Sequence, residues 1–179
     1  MATIGGSLTP EIAREVFAEQ ARALAAAGVD AMWVETMSDV KEAVAAIQGA
    51  RDAAPDLPVI ATMSFDTRGH TMMGVSPERA AEALLAAGAS AVGGNCGNGP
   101  EELIPVIERM RAAFPDAVLV AKGNVGMPEL VGMSIHYETT PETMADFARR
   151  FVDAGANVVG ACCGSTPPHL QAMAEALRA

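Results

Sequence analysis

Three cysteines are the residues of this sequence best suited to chemistry, and each stands among glycines. Cys96 lies in Gly93-Gly94-Asn95-Cys96-Gly97, and Cys162 and Cys163 lie in Gly160-Ala161-Cys162-Cys163-Gly164. Three thiolates with a vacant fourth position make the pattern of a catalytic zinc site rather than a closed structural one. A free thiol is only a few per cent ionised near pH 7. Zinc deprotonates an incoming thiol outright, and three sulfur ligands keep the centre electron-rich, so a bound substrate sulfur stays nucleophilic. Such a site suits alkylation of a thiol; activation of water more usually employs His-rich ligation. Two other readings fit the same residues. The cysteines are buried small hydrophobes, or they carry an iron–sulfur cluster with one open iron, although no C-x2-C spacing occurs. An odd number of cysteines, two of them adjacent, argues against a disulfide framework.

The elements that must position these thiols alternate along the chain. Amphipathic stretches predict helices over Pro10–Ala27, Ser38–Ala54, Ser76–Ala87, Pro100–Phe114, Pro141–Ala154 and Pro167–Arg178. Short apolar runs predict strands over Ala31–Glu35, Val59–Ser64, Ala91–Gly94, Ala117–Lys122 and Asn157–Ala161. Thr9-Pro10, Ser76-Pro77, Thr140-Pro141 and Thr166-Pro167 each set a capping hydroxyl before a proline in the first turn. Strand–helix alternation with short links implies a parallel sheet covered by helices, either an open doubly wound sheet or a (β/α) barrel.

A repeat places the thiols in one frame. Ala27-Gly28-Val29-Asp30, Ala87-Gly88-Ala89-Ser90 and Ala154-Gly155-Ala156-Asn157 each end a helix and launch a strand. The residue eight past each glycine is Thr36 (after Glu35), Cys96 (after Asn95) and Cys163 (after Cys162). That position is the C-terminal lip of alternate strands, where parallel α/β folds build their sites. With strand order following chain order, one strand separates the two cysteine strands, about 9–10 Å. Gly164 permits the backbone turn that adjacent cysteines need to face one ion.

Composition narrows the function classes. Of 179 residues half are hydrophobic and 19% charged, which excludes disorder. Twelve Lys and Arg against 22 Asp and Glu give −10, and aromatics are 4%. That balance argues against nucleic-acid and membrane-surface partners, both of which need basic patches. No apolar run approaches a membrane span. The first ten residues lack a signal-peptide pattern, so a cytoplasmic location is expected.

The motifs resemble those of a known family. Gly93-Gly94-Asn95-Cys96-Gly97-Asn98-Gly99 and Gly160-Ala161-Cys162-Cys163-Gly164-Ser165-Thr166-Pro167-Pro168-His169 resemble the two zinc motifs of homocysteine S-methyltransferases. They are most like those of the homocysteine-binding domain of cobalamin-dependent methionine synthases. Trp33-Val34-Glu35-Thr36-Met37, Ala61-Thr62-Met63-Ser64-Phe65 and Asn124-Val125-Gly126-Met127-Pro128 are similar to further segments of that family. Two positions depart from it: Ala161 stands where the family usually has Gly, and Gly123 where it often has Pro.

The resemblance implies a (β/α)8 TIM barrel with Zn2+ held by Cys96, Cys162 and Cys163, and homocysteine bound through its sulfur. It implies Glu35 near the substrate amino group and Asn124 as a fourth zinc ligand displaced when the thiol arrives. The reaction implied is methyl transfer to homocysteine, forming methionine. The donor would be a methylcorrinoid on another chain or domain, a sulfonium or a betaine. Five strands make the expected fold a partial barrel, one domain over 1–179 shortened at its N-terminal side, with Ile4-Gly5-Gly6-Ser7 as a remnant of the third barrel strand. Two open edges would then be met by a second copy or a complementary chain. The alternative is a non-catalytic zinc- or homocysteine-binding subunit, or half of a split methyltransferase.

Other residues carry plainer expectations. His70, His136 and His169 read as non-catalytic, with a single loop histidine expected at the surface. Met72 and Met73 read as flexible core or loop packing rather than the cover of a thioether-forming pocket, and Arg149-Arg150 as a solvated helix face. The glycines around Cys96 lack the Lys-Ser/Thr of a phosphate loop.

Overall fold

A computed structural model describes residues 8–178. The expected strand remnant Ile4–Ser7 lies outside the described residues. Helices α1 (Pro10–Ala26), α2 (Val40–Ala53), α3 (Pro77–Ala86), α4 (Pro100–Ala113), α5 (Pro141–Asp153) and α6 (Pro167–Ala176) alternate with strands β1 (Met32–Met37), β2 (Val59–Met63), β3 (Ala91–Cys96), β4 (Leu119–Gly123) and β7 (Val158–Ala161). A hairpin of β5 (Glu129–Val131) and β6 (Ser134–His136) lies between β4 and α5.

The five long-range strands pair in parallel in the order β1-β2-β3-β4-β7, which is chain order. That order decides between the two architectures. Right-handed crossovers with no reversal put every connecting helix on one face of the sheet. A doubly wound sheet would need a reversal. The fold is therefore a partial barrel, with helices outside and a lumen face inside.

Side-chain alternation separates the faces. Met32, Val59, Ala61, Met63, Val92, Leu119 and Ala121 point at the helices and form one buried core with Ile47, Leu84, Ile107, Met110, Met144 and Phe151. The opposite set belongs to the lumen: Trp33 and Glu35 on β1, Thr62 on β2, Gly93 and Asn95 on β3, Lys122 on β4, Gly160 on β7.

Thr9, Ser76 and Thr140 accept hydrogen bonds from the N–H groups of Ile12, Arg79 and Thr143, as their spacing predicts. Asp39, one residue past the expected start, caps α2. Strands β1, β3 and β4 run one or two residues further than expected, so Cys96 and Gly123 are themselves strand residues. The hairpin was not expected: its three-residue strands are too short for a periodic signal, and Gly132 (φ +66°) opens the two-residue turn.

One ion pair ties α3 to α4. Arg109 donates from Nε and Nη2 to the two Glu78 carboxylate oxygens at 2.6 and 2.8 Å. These hydrogen bonds hold the Glu78 carboxyl down to about 2, from an ordinary 4.5. Both side chains are more than a third exposed, so solvent screening limits the pair to under about 1 kcal/mol. A depressed folded-state pKa stabilises above the unfolded value and stops doing so as pH falls through the folded one. Arg109→Ala should therefore lower thermal stability slightly at pH 7, and the difference should vanish between pH 4.5 and about 2. Melting curves of the two proteins across that range check it.

Candidate metal centre

The repeat frame becomes a backbone feature at the lip. Thr36 and Cys96, each eight residues past its glycine, adopt left-handed φ of +60° and +58°. In the third copy the left-handed residue is Gly164 (φ +79°), just after Cys163. Non-glycine residues enter this region at a cost and cluster where side chains must be re-aimed. At Thr36 the turn coincides with a bulge, since Val34 pairs with Ala61 but Met37 with Met63. The Gly164 turn lets adjacent cysteines face one point. The Cys163 carbonyl accepts from the N–H of Val125, and the Cys162 N–H donates to the Gly123 carbonyl, fixing the turn against the end of β4.

The three thiols converge. Cys96 Sγ lies 2.9 Å from Cys162 Sγ and 3.5 Å from Cys163 Sγ, and the two neighbouring sulfurs are 3.9 Å apart. One strand does separate their strands, as expected. None is in a disulfide, Cys96 and Cys162 are partly buried, and Cys163 is exposed. They lie outside the apolar core, which overturns the reading as small core hydrophobes. A tetrahedral zinc with sulfurs at about 2.3 Å has edges of about 3.8 Å. Two edges of the sulfur triangle are close to that value and the Cys96–Cys162 edge is about 0.9 Å shorter, so a metal ion would spread that pair, and the three soft donors facing one point fit such an ion.

Their protonation argues the same way. Burial pushes the Cys96 thiol up to about 12, and hydrogen bonding with Cys162 and Cys163 acts in the same direction. Burial also raises Cys162, but hydrogen bonds from Cys96, Asn95 and the Cys163 backbone outweigh it and hold that thiol below its ordinary value. The proton is thus held more firmly on Cys96 than on Cys162. Three thiolates at this separation require a cation between them.

Asn95 supports the cluster from behind. It is 1% exposed. Its Nδ2 donates to Thr36 Oγ1 at 2.6 Å and lies 3.8 Å from Cys162 Sγ, while its Oδ1 accepts from the Thr36 N–H at 3.1 Å. The left-handed Thr36 therefore fixes the amide that contacts a cysteine sulfur.

Glu35 stands one residue before Thr36, on the lumen side. It forms an ion pair with Lys122 Nζ, which also sits over the Trp33 ring at 4.7 Å from its centroid. Trp33 Nε1 in turn donates to Thr62 Oγ1 at 3.4 Å. Lys122 is a functional candidate that the sequence reading missed. Its signal was a lone charge in the apolar run Leu119-Val120-Ala121-Lys122-Gly123. Asn124 is buried at the lip, donating to the Gly97 carbonyl at 2.7 Å and accepting from the Gly126 N–H at 3.3 Å. It clips the loop after Cys96 to its own turn.

The plainer residues fall outward. His169 is buried, not superficial: Nδ1 accepts from the Thr166 N–H at 3.1 Å, and Nε2 meets the Thr139 carbonyl at 3.0 Å, so it ties the start of α6 to the preceding loop. Met72 and Met73 are exposed, so they are loop residues and not part of the core. Arg149 and Arg150 are exposed, with Arg150 over the Phe147 ring. Among the described residues no helix is long and apolar enough to cross a membrane.

Comparison with known proteins gives a consistent picture. The family model of homocysteine S-methyltransferase matches residues 2–177. The chain is 30% identical over 173 residues to methionine synthase of Mycobacterium tuberculosis (strain ATCC 25618 / H37Rv) and to that of Mycobacterium leprae (strain TN). Each match covers 93% of this chain and 14% of the relative, so the chain spans a small part of their length. Among solved structures it is similar to the homocysteine methyltransferase MmuM from Escherichia coli. The apo form gives a TM-score of 0.75 at 21% identity, over 97% of this chain and 59% of that one. The metallated form gives 0.71 at 21%, over 93% and 52%. A putative phosphonomutase from Burkholderia cenocepacia J2315 gives 0.65 at 21%, over 89% and 70%. At these identities the structural likeness bears on the fold.

Proposed function

The chain belongs to the homocysteine S-methyltransferase family, and from that premise we propose that it is a zinc-dependent acceptor site at which homocysteine is methylated to methionine. The convergence of the three cysteine sulfurs at the lip is the observation that carries this reading. The metallated MmuM structure and the names of the methionine synthase relatives support it. When bound by Cys96, Cys162 and Cys163, zinc supplies an ionised acceptor thiol at neutral pH.

The chain's own residues do the rest. Asn95 and Thr36 hold Cys162 in place. Glu35 offers a carboxylate to the substrate ammonium. Asn124 serves in this reading as the fourth ligand in the absence of substrate, which would require its Oδ1 to leave the Gly126 N–H. The acceptor sulfur then forms a bond to the donor's methyl carbon as the donor–methyl bond breaks, and that electron pair leaves with the donor. Only groups that favour this in-line transition state raise the rate, so the donor must be held opposite the sulfur. The donor, a methylcorrinoid or a small sulfonium or betaine, approaches from the lip. Residues 1–179 act in this reading as one homocysteine-binding domain of a cytoplasmic protein.

Cobalt-loaded protein tests the acceptor role. Adding homocysteine should change its thiolate charge-transfer absorption, because a fourth sulfur enters. An unchanged spectrum at millimolar homocysteine would defeat the proposal.

A further inference from the structure

We propose that Lys122 is the anchor for the substrate's carboxylate, forming with Glu35 a two-ended clamp for an α-amino acid head group. This rests on the acceptor role proposed above and adds what selects the substrate.

Position comes first. Lys122 pairs in register with Asn95 on one side and with Gly160 on the other, so it stands between the two strands that carry the cysteines. Its stem lies against Gly160: a Cβ there would come within 3.1 Å of Lys122 Cγ and 3.6 Å of Cδ and Cε. The bare glycine gives the stem room on the lumen face. The curl of the sheet then brings Nζ to Glu35, although β2 and β3 separate their strands.

Environment comes second. The Lys122 side chain is 21% exposed and Glu35 39%, so the cation is the more enclosed partner and the carboxylate the more open one. An ammonium held over an indole face and beside one carboxylate keeps donors free for a second acceptor.

Chemistry joins these points. A zwitterionic thiol brings an ammonium and a carboxylate on one carbon. Its carboxylate would enter a region already lined by cysteine thiols and Glu35, and an unpaired carboxylate there is unfavourable. Exchange of partners solves this without a net change of charge. The substrate ammonium takes Glu35, and Lys122 Nζ takes the substrate carboxylate. A pair that only braced the sheet would not distinguish thiols by their carboxylates.

The test uses cobalt-loaded protein titrated with three thiols: homocysteine, 3-aminopropanethiol, which lacks the carboxylate, and 4-mercaptobutanoate, which lacks the ammonium. A charge-assisted hydrogen bond makes wild type prefer homocysteine over 3-aminopropanethiol by about tenfold or more. Lys122→Met should erase that preference without weakening 3-aminopropanethiol binding, since Glu35 is freed for the ligand ammonium, and Lys122→Arg should restore part of it. Glu35→Gln should instead erase the preference over 4-mercaptobutanoate. Equal wild-type affinity for homocysteine and 3-aminopropanethiol would overturn the anchor and leave the acceptor site standing. Equal weakening of both thiols by Lys122→Met would also overturn it. A cobalt spectrum that responds to none of the three would overturn the acceptor role and the anchor together.

Discussion

Cys96→Ser should lower zinc affinity by on the order of a thousandfold while leaving the fold intact. The sulfur it removes is the one within 3.5 Å of both others, and it comes from a different strand. Without it, Cys162 and Cys163 remain as a two-residue pair that cannot enclose a cation. Cys96 lies outside the apolar core and serine is nearly isosteric, so melting of the metal-free protein should hardly move. Metal content after dialysis, with chelator competition, reads the effect. Retention of one tightly held zinc per chain in the variant would contradict it. pH gives a second handle. Burial and hydrogen bonding keep a proton on Cys96, with its pKa at about 12, and a metal must displace it. Affinity should therefore fall as pH falls, by about tenfold per unit for each proton displaced.

Gly164→Ala should damage both stability and the metal centre. At φ +79° the alanine would carry left-handed strain of about 1–2 kcal/mol. Its Cβ would also overlap Val125 Cγ2 and come within 2.7 Å of the Tyr137 ring. Overpacking of that kind adds about 1–3 kcal/mol. The same turn brings Cys163 round to its neighbour, so zinc affinity should fall with stability. Thermal melting and metal content of Gly164→Ala check this, and adding Tyr137→Ala should relieve the ring contact but neither the Val125 overlap nor the backbone share. A variant as stable and as zinc-avid as wild type would refute this account of the turn.

Much of this was legible in the residues. Thr9, Ser76 and Thr140 announce their helices because capping is local chemistry. The spacing of eight from Gly28, Gly88 and Gly155 located the lip residues, since a helix cap and a strand of fixed rise leave little freedom between them. The Lys122–Glu35 pair was not legible, because it spans 87 residues and depends on how far the sheet curls. Nor was the burial of His169, which follows from a loop folding back to present the Thr139 carbonyl. Thr36 looked like a neighbour of Glu35. Only its left-handed backbone and its bonds to Asn95 reveal a support for the cysteines.

X-ray absorption at the zinc edge of protein purified under reducing conditions tests the metal centre most directly. The expected shell is three sulfurs at about 2.3 Å with one lighter atom, becoming four sulfurs when homocysteine is added. A shell of nitrogen and oxygen alone, or a sulfur count that homocysteine does not change, would contradict it.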